Sequence, residues 1–283
     1  MKPRVMSLVL FTCMVGLIIA PNNVSYLNSV LSLIAVALGA GAAGTLNMWY
    51  ESDLDALMTR TCLRPIPTGQ VTKNQALFFG VLLSVGSVTL LYFSSNLMSA
   101  SLLLITICFY FFIYTVWLKR RTPQNIVIGG AAGALPPVIG WTISTGSLST
   151  EPLILFLIIF LWTPSHFWAL SIYKSNDYKK AKIPMFPIIY GIEKTKKNIF
   201  IYSLLMLPTI SAPYFISFLS EIYFYPALAL TIYYTYLCGT LLKVKKSTEV
   251  NTLARKIFLY SIFYLFIIFL LILSDHFFTR FYG

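Results

Sequence analysis

Read along the chain, the hydrophobic positions fall into long unbroken runs rather than into helical stripes or alternating strand patterns. The runs cover approximately Val5–Ala20, Tyr26–Leu46, Ala76–Phe93, Met98–Leu118, Ile126–Ile143, Pro152–Tyr173, Ile199–Phe218, Ile222–Leu242 and Ile257–Leu273. Apolar stretches of about 17 to 22 residues suit helices that cross a bilayer, where lipid covers the faces that water would otherwise meet. The pattern predicts an all-α, polytopic membrane bundle of about nine helices, one transmembrane domain over residues 1–283. The fifth run carries Gly129, Gly130, Gly133, Pro136 and Pro137, which predict a kink or interruption and close helix approach.

Composition narrows the class. Of 283 residues, 58% are hydrophobic and 11% charged, against roughly a quarter charged in soluble domains. A net charge of +12 would ordinarily raise nucleic acid as a partner. Here the basic residues sit in short breaks between apolar runs, so they are read as topology signals and lipid-headgroup contacts, with no nucleic-acid partner. With nine spans, twenty of the 21 lysines and arginines fall on one side, and only Arg280 on the other. The positive-inside rule then predicts a cytoplasmic N terminus and a periplasmic C terminus, in a bacterial inner membrane. The first run, preceded by Lys2 and Arg4, is expected to stay as an uncleaved helix. Cys13, Cys62, Cys108 and Cys238 are too scattered for a disulfide framework or a metal knuckle.

Two breaks are long, Asn47–Gln75 and Lys174–Asn198, and they hold five of the nine acids: Glu51, Asp53, Asp55, Asp177 and Glu193. If the second helix continues, Asn47, Glu51 and Asp55 share one face, rising about 6 Å per step. Oxygen donors in that arrangement suit Mg²⁺ held by a few carboxylates and a substrate phosphate. Arg60 and Arg64, also four apart, offer forked donors to phosphate oxygens. On a continuous sixth helix, His166, Tyr173 and Asp177 would fall on nearly one line with Lys174 beside them. Asp53, Glu193, Lys179 and Lys180 are expected to be solvated. Acids interleaved with bases point to a metal-bridged phosphate or diphosphate.

The motif Asn47-x-x-x-Glu51-x-Asp53-x-Asp55 followed by Arg60-Thr-x-x-Arg64-Pro resembles the first acidic motif of the UbiA superfamily of intramembrane prenyltransferases. Supporting segments are Thr122-Pro-Gln-Asn125, Gly133-Ala-Leu-Pro136-Pro137, Trp162-Thr-Pro-Ser-His166, Asp177-Tyr178 and Ile183-Pro184-Met185; together the resemblance covers about residues 2–191. Glu51, where the wider superfamily has Asp, is similar to the haem-modifying branch. The resemblance implies transfer of a farnesyl group from farnesyl diphosphate to a vinyl group of haem B, giving haem O. It implies Asn47, Glu51 and Asp55 around one Mg²⁺, and Asp177 with Asn176 around a second. Arg60, Arg64 and Lys174 would neutralise the diphosphate, and His166 would contact haem iron or a propionate, or move a proton. A haem A synthase or an oxidase assembly factor is the expected recipient of the product. Cys62-Leu63 replace a common Arg-Asn, and Asn176 stands where an acid is usual. The competing readings are a related enzyme with an aromatic, quinone-precursor acceptor, and, in another class, a secondary transporter.

Overall fold

The computed structural model describes residues 3–59 and 61–282, and among them every regular element is helical. The apolar runs become α1 (Pro3–Ile19), α2 (Tyr26–Tyr50), α4 (Lys73–Ser94) and α5 (Leu97–Cys108) with a π-helix (Phe109–Leu118). A short α3 (Ser52–Leu57) follows α2. Next come α6 (Asn125–Ala134), α7 (Pro136–Thr145), α8 (Thr150–Tyr173), α9 (Ser175–Lys180) and α10 (Phe186–Ile189). The chain ends with α11 (Ile192–Phe215), α12 (Glu221–Lys243) and α13 (Ser247–Tyr282). Among the described residues, seven helical stretches are long and apolar enough to cross a membrane. Two predicted spans fall short of that measure: the apolar part of the first is only Met6–Ile19, and α12 carries five tyrosines that lower its hydropathy. The fold is that of a multi-pass membrane protein.

Local signals set the helix ends. Ser25 accepts a hydrogen bond from the Asn28 amide at the start of α2, and Thr72 and Gln75 form a reciprocal capping box on α4. The predicted interruption of the fifth run falls at Leu135, immediately before Pro136, whose ring removes a donor and clashes with the preceding turn. Several helices outrun the predicted spans. α2 runs four residues beyond Leu46, and α13 reaches well past Ile257–Leu273 at both ends, because polar residues can continue a helix where the apolar run stops.

The chain divides into two compact units. The first comprises residues 1–148 and the short segment 176–184; its core gathers Cys13, Leu17, Val36, Leu91, Leu103 and Ile139. Here α2 lies along α4, and α1 along α7. The α1–α7 contact is backbone to backbone: a Cβ on Gly16 would stand 2.1 Å from the Pro137 carbonyl oxygen, and one on Gly140 only 1.9 Å from that of Cys13. The small residues of the fifth run thus serve close helix approach, as the sequence predicts. The second unit comprises residues 149–175 and 185–283, with α8 packed on α11 and α13, and α12 between the latter two. Its interior is rich in buried aromatic and hydroxyl groups. Trp162 donates to the Ser261 carbonyl at 2.9 Å, Tyr234 to the Ser165 hydroxyl at 2.7 Å, and Tyr264 pairs with Thr231 at 2.8 Å.

Candidate active site

The first acidic motif lies where α2 gives way to α3. Glu51 leaves helical geometry at φ −97°, ψ 14°, yet its amide still donates to the Asn47 carbonyl (3.0 Å) and the Asp55 amide to the Glu51 carbonyl (2.8 Å). The i, i+4, i+8 register therefore survives the break, and all three side chains are at most 1% exposed. Two carboxylates buried that deeply require partners, since an isolated buried charge is costly by several kcal/mol. Lys119, just beyond the π-helix, places Nζ 2.5 Å from Glu51 Oε2, and the Asn47 amide donates to the same oxygen at 2.9 Å. Arg64 donates to Asp55 Oδ2 at 2.6 Å. Thr61 donates to the Asp55 carbonyl at 2.9 Å, closing the loop back on α3.

Asp177 joins the same unit, since residues 176–184 belong to it. Its Oδ1 accepts from the Thr59 hydroxyl at 2.6 Å. Asp177 is buried, whereas its neighbour Asn176 is exposed. Arg60 lies outside the described residues.

The proposed continuity of the sixth helix is corrected by the structure. α8 ends at Tyr173, Lys174 takes a capping conformation (φ −107°, ψ 24°), and the chain passes from one unit to the other after Ser175. His166, Tyr173 and Asp177 consequently do not share a continuous helical face. Lys174 holds Nζ 4.7 Å from the Tyr173 ring centroid. In the second unit His166 is stacked on Trp162 and Phe258, with centroids 4.2 and 4.7 Å away, and its Nδ1 is 2.6 Å from Ser261 Oγ. The Ser261 hydroxyl, which also lies 2.7 Å from the Phe258 carbonyl, holds the imidazole in place through Nδ1.

Two residues expected to be solvated have ionic partners. Asp53 is bridged by both Arg120 nitrogens at 2.8 and 3.1 Å, on the surface. Partial burial pushes its carboxyl upward, but the Arg120 hydrogen bond and charge outweigh this and hold it below the ordinary carboxylate range. Glu193, itself exposed, accepts from the fully buried Lys196 at 2.7 Å. Sequence reasoning assigned Lys119 and Arg120 wholly to topology. Their signal was position: a basic run directly at the end of an apolar run, on the same predicted side as the acidic loop.

The donor set fits a hard divalent cation in one respect and departs from it in another. Glu51 Oε1 and Asp177 Oδ2 are buried carboxylate oxygens that no donor reaches among the described residues. Such atoms are costly unless a cation or water meets them. Yet among the described residues no three His, Cys, Asp or Glu side chains converge on one point. Mg²⁺ does not require such a cage, because it is ordinarily held by one or two carboxylates together with waters and substrate phosphate.

Residues 9–274 match the model of the UbiA prenyltransferase family. The chain belongs to this family. Among curated relatives it is 65% identical, over 97% of its length and 91% of the relative's, to the protoheme IX farnesyltransferase of Pelagibacter ubique. It is 50% identical to protoheme IX farnesyltransferase 2 of Mesorhizobium japonicum, over 97% and 88% of the two chains. The UbiA fold is equally clear among solved structures. A digeranylgeranylglyceryl phosphate synthase superposes with a TM-score of 0.79 at 20% identity, over 95% of this chain and 92% of that one. A UbiA homolog from Archaeoglobus fulgidus, bound to GPP and Mg²⁺, superposes with a TM-score of 0.68 at 16% identity, over 96% of each chain.

Proposed function

We propose that this prenyltransferase moves the farnesyl group of farnesyl diphosphate onto a vinyl group of haem B, releasing diphosphate and giving haem O. The observation that carries this reading is the 65% identity, nearly end to end, to a protoheme IX farnesyltransferase. The cluster of buried acids and bases in the first unit agrees with it. In the reaction the C1–O bond of the donor breaks and its electron pair leaves with diphosphate. The vinyl π pair forms the new carbon–carbon bond, and water adds to the resulting cationic carbon with loss of a proton.

Glu51 and Asp55, with Asn47, are the residues that would hold one Mg²⁺, and Asp177, with Asn176, a second. Bound there, Mg²⁺ supplies Lewis-acid neutralisation of the leaving diphosphate. Arg64 and Lys119 are the cations already at the carboxylates, within reach to turn to phosphate oxygens, and Arg60 and Lys174 are further candidates. Preorganised positive charge at the leaving group stabilises the transition state more than the ground state. His166, anchored through Nδ1 on Ser261, is a candidate to contact haem iron or a propionate, or to move a proton. We further propose that the protein sits in the bacterial inner membrane with its N terminus cytoplasmic and C terminus periplasmic. It would hand haem O to a haem A synthase or an oxidase assembly factor.

The test is direct. Purified full-length protein is incubated with farnesyl diphosphate, haem B and Mg²⁺, and the pigments are separated and weighed by mass spectrometry. Haem O should appear only when all three are present. Failure to form it, alongside prenylation of a quinone precursor, would replace haem as the acceptor.

A further inference from the structure

Within the second unit, α8 and α13 pack along one another and build a seam with an apolar body and a basic end. His166, Leu170 and Tyr173 recur at intervals of four and three residues, so they share one face of α8 and span about 10 Å along it. α13 lays its own residues against that face in antiparallel order. Ser261 and Phe258 meet His166, the hydroxyl at Nδ1 and the ring stacked at 4.7 Å between centroids. Arg255, one turn earlier on α13, meets Tyr173 instead, its guanidinium carbon 5.9 Å from the ring centroid. Lys174 holds Nζ 4.7 Å from the centroid of that same ring.

Two cations gathered on one ring repel each other, and at a solvated edge the aromatic face attracts each only weakly. Among the described residues neither has a carboxylate partner: Glu249, on the first turn of α13, faces Lys246, and Glu193 faces Lys196. Topology alone accounts for basic residues at helix ends. Arg255 and Lys174 are set apart because they close the line of rings that begins at His166. Leu170, Tyr173 and Phe258 along that line are half-buried, while His166 lies deeper. The seam thus offers ring and aliphatic surface that ends in two positive charges. A ligand matched to it is flat and apolar over most of its area and carries carboxylates at one edge only. Haem B has that distribution, with its vinyl groups on one half of the macrocycle and two propionates on the other.

We propose that Arg255 and Lys174 receive the two propionates of the acceptor haem at the basic end of the α8–α13 seam. Arginine suits the task because its planar fork matches a carboxylate with two parallel hydrogen bonds. The inference rests on the haem reading above, and it gives Lys174 a use in acceptor recognition rather than at the diphosphate. Lys174 belongs to the same unit as Arg255, whereas Glu51, Asp55 and Asp177 belong to the first. With the carboxylates held there, the vinyl half of the macrocycle is turned away from the basic end.

The experiment compares haem B with its dimethyl ester, which keeps the macrocycle and the vinyl groups but has no ionised carboxylate. The full chain in neutral detergent is assayed with farnesyl diphosphate and Mg²⁺, and acceptor binding alone is followed in the Soret band. Wild type should use the diester with a KM about tenfold above that for haem B, the scale of a charge-assisted hydrogen bond. Arg255→Gln should raise KM for haem B by about tenfold, with kcat within a few-fold of wild type. Its KM for the diester and for farnesyl diphosphate should stay within twofold. Lys174→Gln should act in the same direction by about threefold, and Arg255→Lys should fall between wild type and Arg255→Gln. Should Arg255→Gln not accumulate, Arg255→Met carries the same expectation. A wild type that uses the diester as well as haem B would overturn the inference. So would an Arg255→Gln that leaves haem B unchanged or weakens both acceptors equally, or a Lys174→Gln that moves only farnesyl diphosphate. Each of those results leaves the haem reading standing. A wild type that farnesylates neither acceptor would overturn that reading and the inference together.

Discussion

The two units both bury polar groups, but they weight ionic and neutral chemistry differently. The first buries ions: Glu51 against Lys119 and Asp55 against Arg64, with one oxygen of Glu51 and one of Asp177 reached by no donor among the described residues. The second holds buried charge as well, Lys196 on Glu193 and Asp275 on the Ser220 and Tyr223 amides, but its inter-helix interior is built on neutral groups whose bonds close on one another: Tyr234 on Ser165, Tyr264 on Thr231, Trp162 on the Ser261 carbonyl and Tyr223 on the Ile210 carbonyl. A closed neutral network specifies packing and has no spare capacity at those atoms for a ligand. A cluster of charges with bare acceptor oxygens is poor packing and good recognition. Changes in the second network are therefore expected to affect stability alone, while ligand and stability are coupled in the first.

The largest expected effect comes from separating the charges of the first unit. Glu51→Gln should lower turnover on the order of a hundredfold or more, the scale associated with losing one preorganised electrostatic contact. Lys119→Met should cost about 3 kcal/mol of stability, because it leaves a carboxylate buried without its cation. The double variant should recover most of that stability and none of the turnover. Denaturant unfolding in detergent, with haem O formation on the same samples, reads both. If Lys119→Met alone unfolds like wild type, the pair is not a buried ion pair and the contrast between the units collapses.

A smaller effect is expected in the second unit. Tyr234→Phe removes the bond to Ser165 within a fully buried cluster and should cost about 1 kcal/mol. It should leave half-saturating Mg²⁺ unchanged, because nothing in that network is proposed to hold the cation. A Mg²⁺ requirement that moves with Tyr234→Phe would show that the neutral network reaches the reaction after all.

The sequence made the architecture legible because each apolar run of spanning length could adopt only a self-satisfied helix in lipid. It also made Asn47, Glu51 and Asp55 legible, since four-residue spacing is a helical property that persisted even where α2 ends and α3 begins. Three features were hidden for physical reasons. The termination of α8 has no glycine or proline to mark it, so Tyr173 to Asp177 read as a continuation. Lys119 was indistinguishable from a topology signal, because a basic residue at the end of a span serves either role. The π-helix leaves no trace in an aromatic run such as Phe109–Tyr114, where every position is apolar and no polar stripe reports the register.

The smallest expected effect tests the surface counterpart of these pairs. Asp53 and Arg120 make a two-pronged bridge close in sequence to Glu51 and Lys119, but their side chains are 55% and 35% exposed where Glu51 is at 1%. Water screens such a pair, so Asp53→Asn should cost less than about 1 kcal/mol. The Asp53 carboxyl is held below its ordinary value in the folded protein. A depressed carboxylate contributes its stabilisation at pH above the unfolded value and loses it as pH falls through the folded one. Wild type and Asp53→Asn should therefore differ slightly at neutral pH and converge as pH drops below the ordinary carboxylate range. Added salt should shrink the neutral-pH difference, because exposed charges are screened within about 10 Å at 0.1 M. A difference that grows on acidification, or one as large as that of Lys119→Met, would mean that exposure is not what separates the two bridges. The contrast would then have to be sought in the carboxylate oxygens that meet no donor among the described residues rather than in burial.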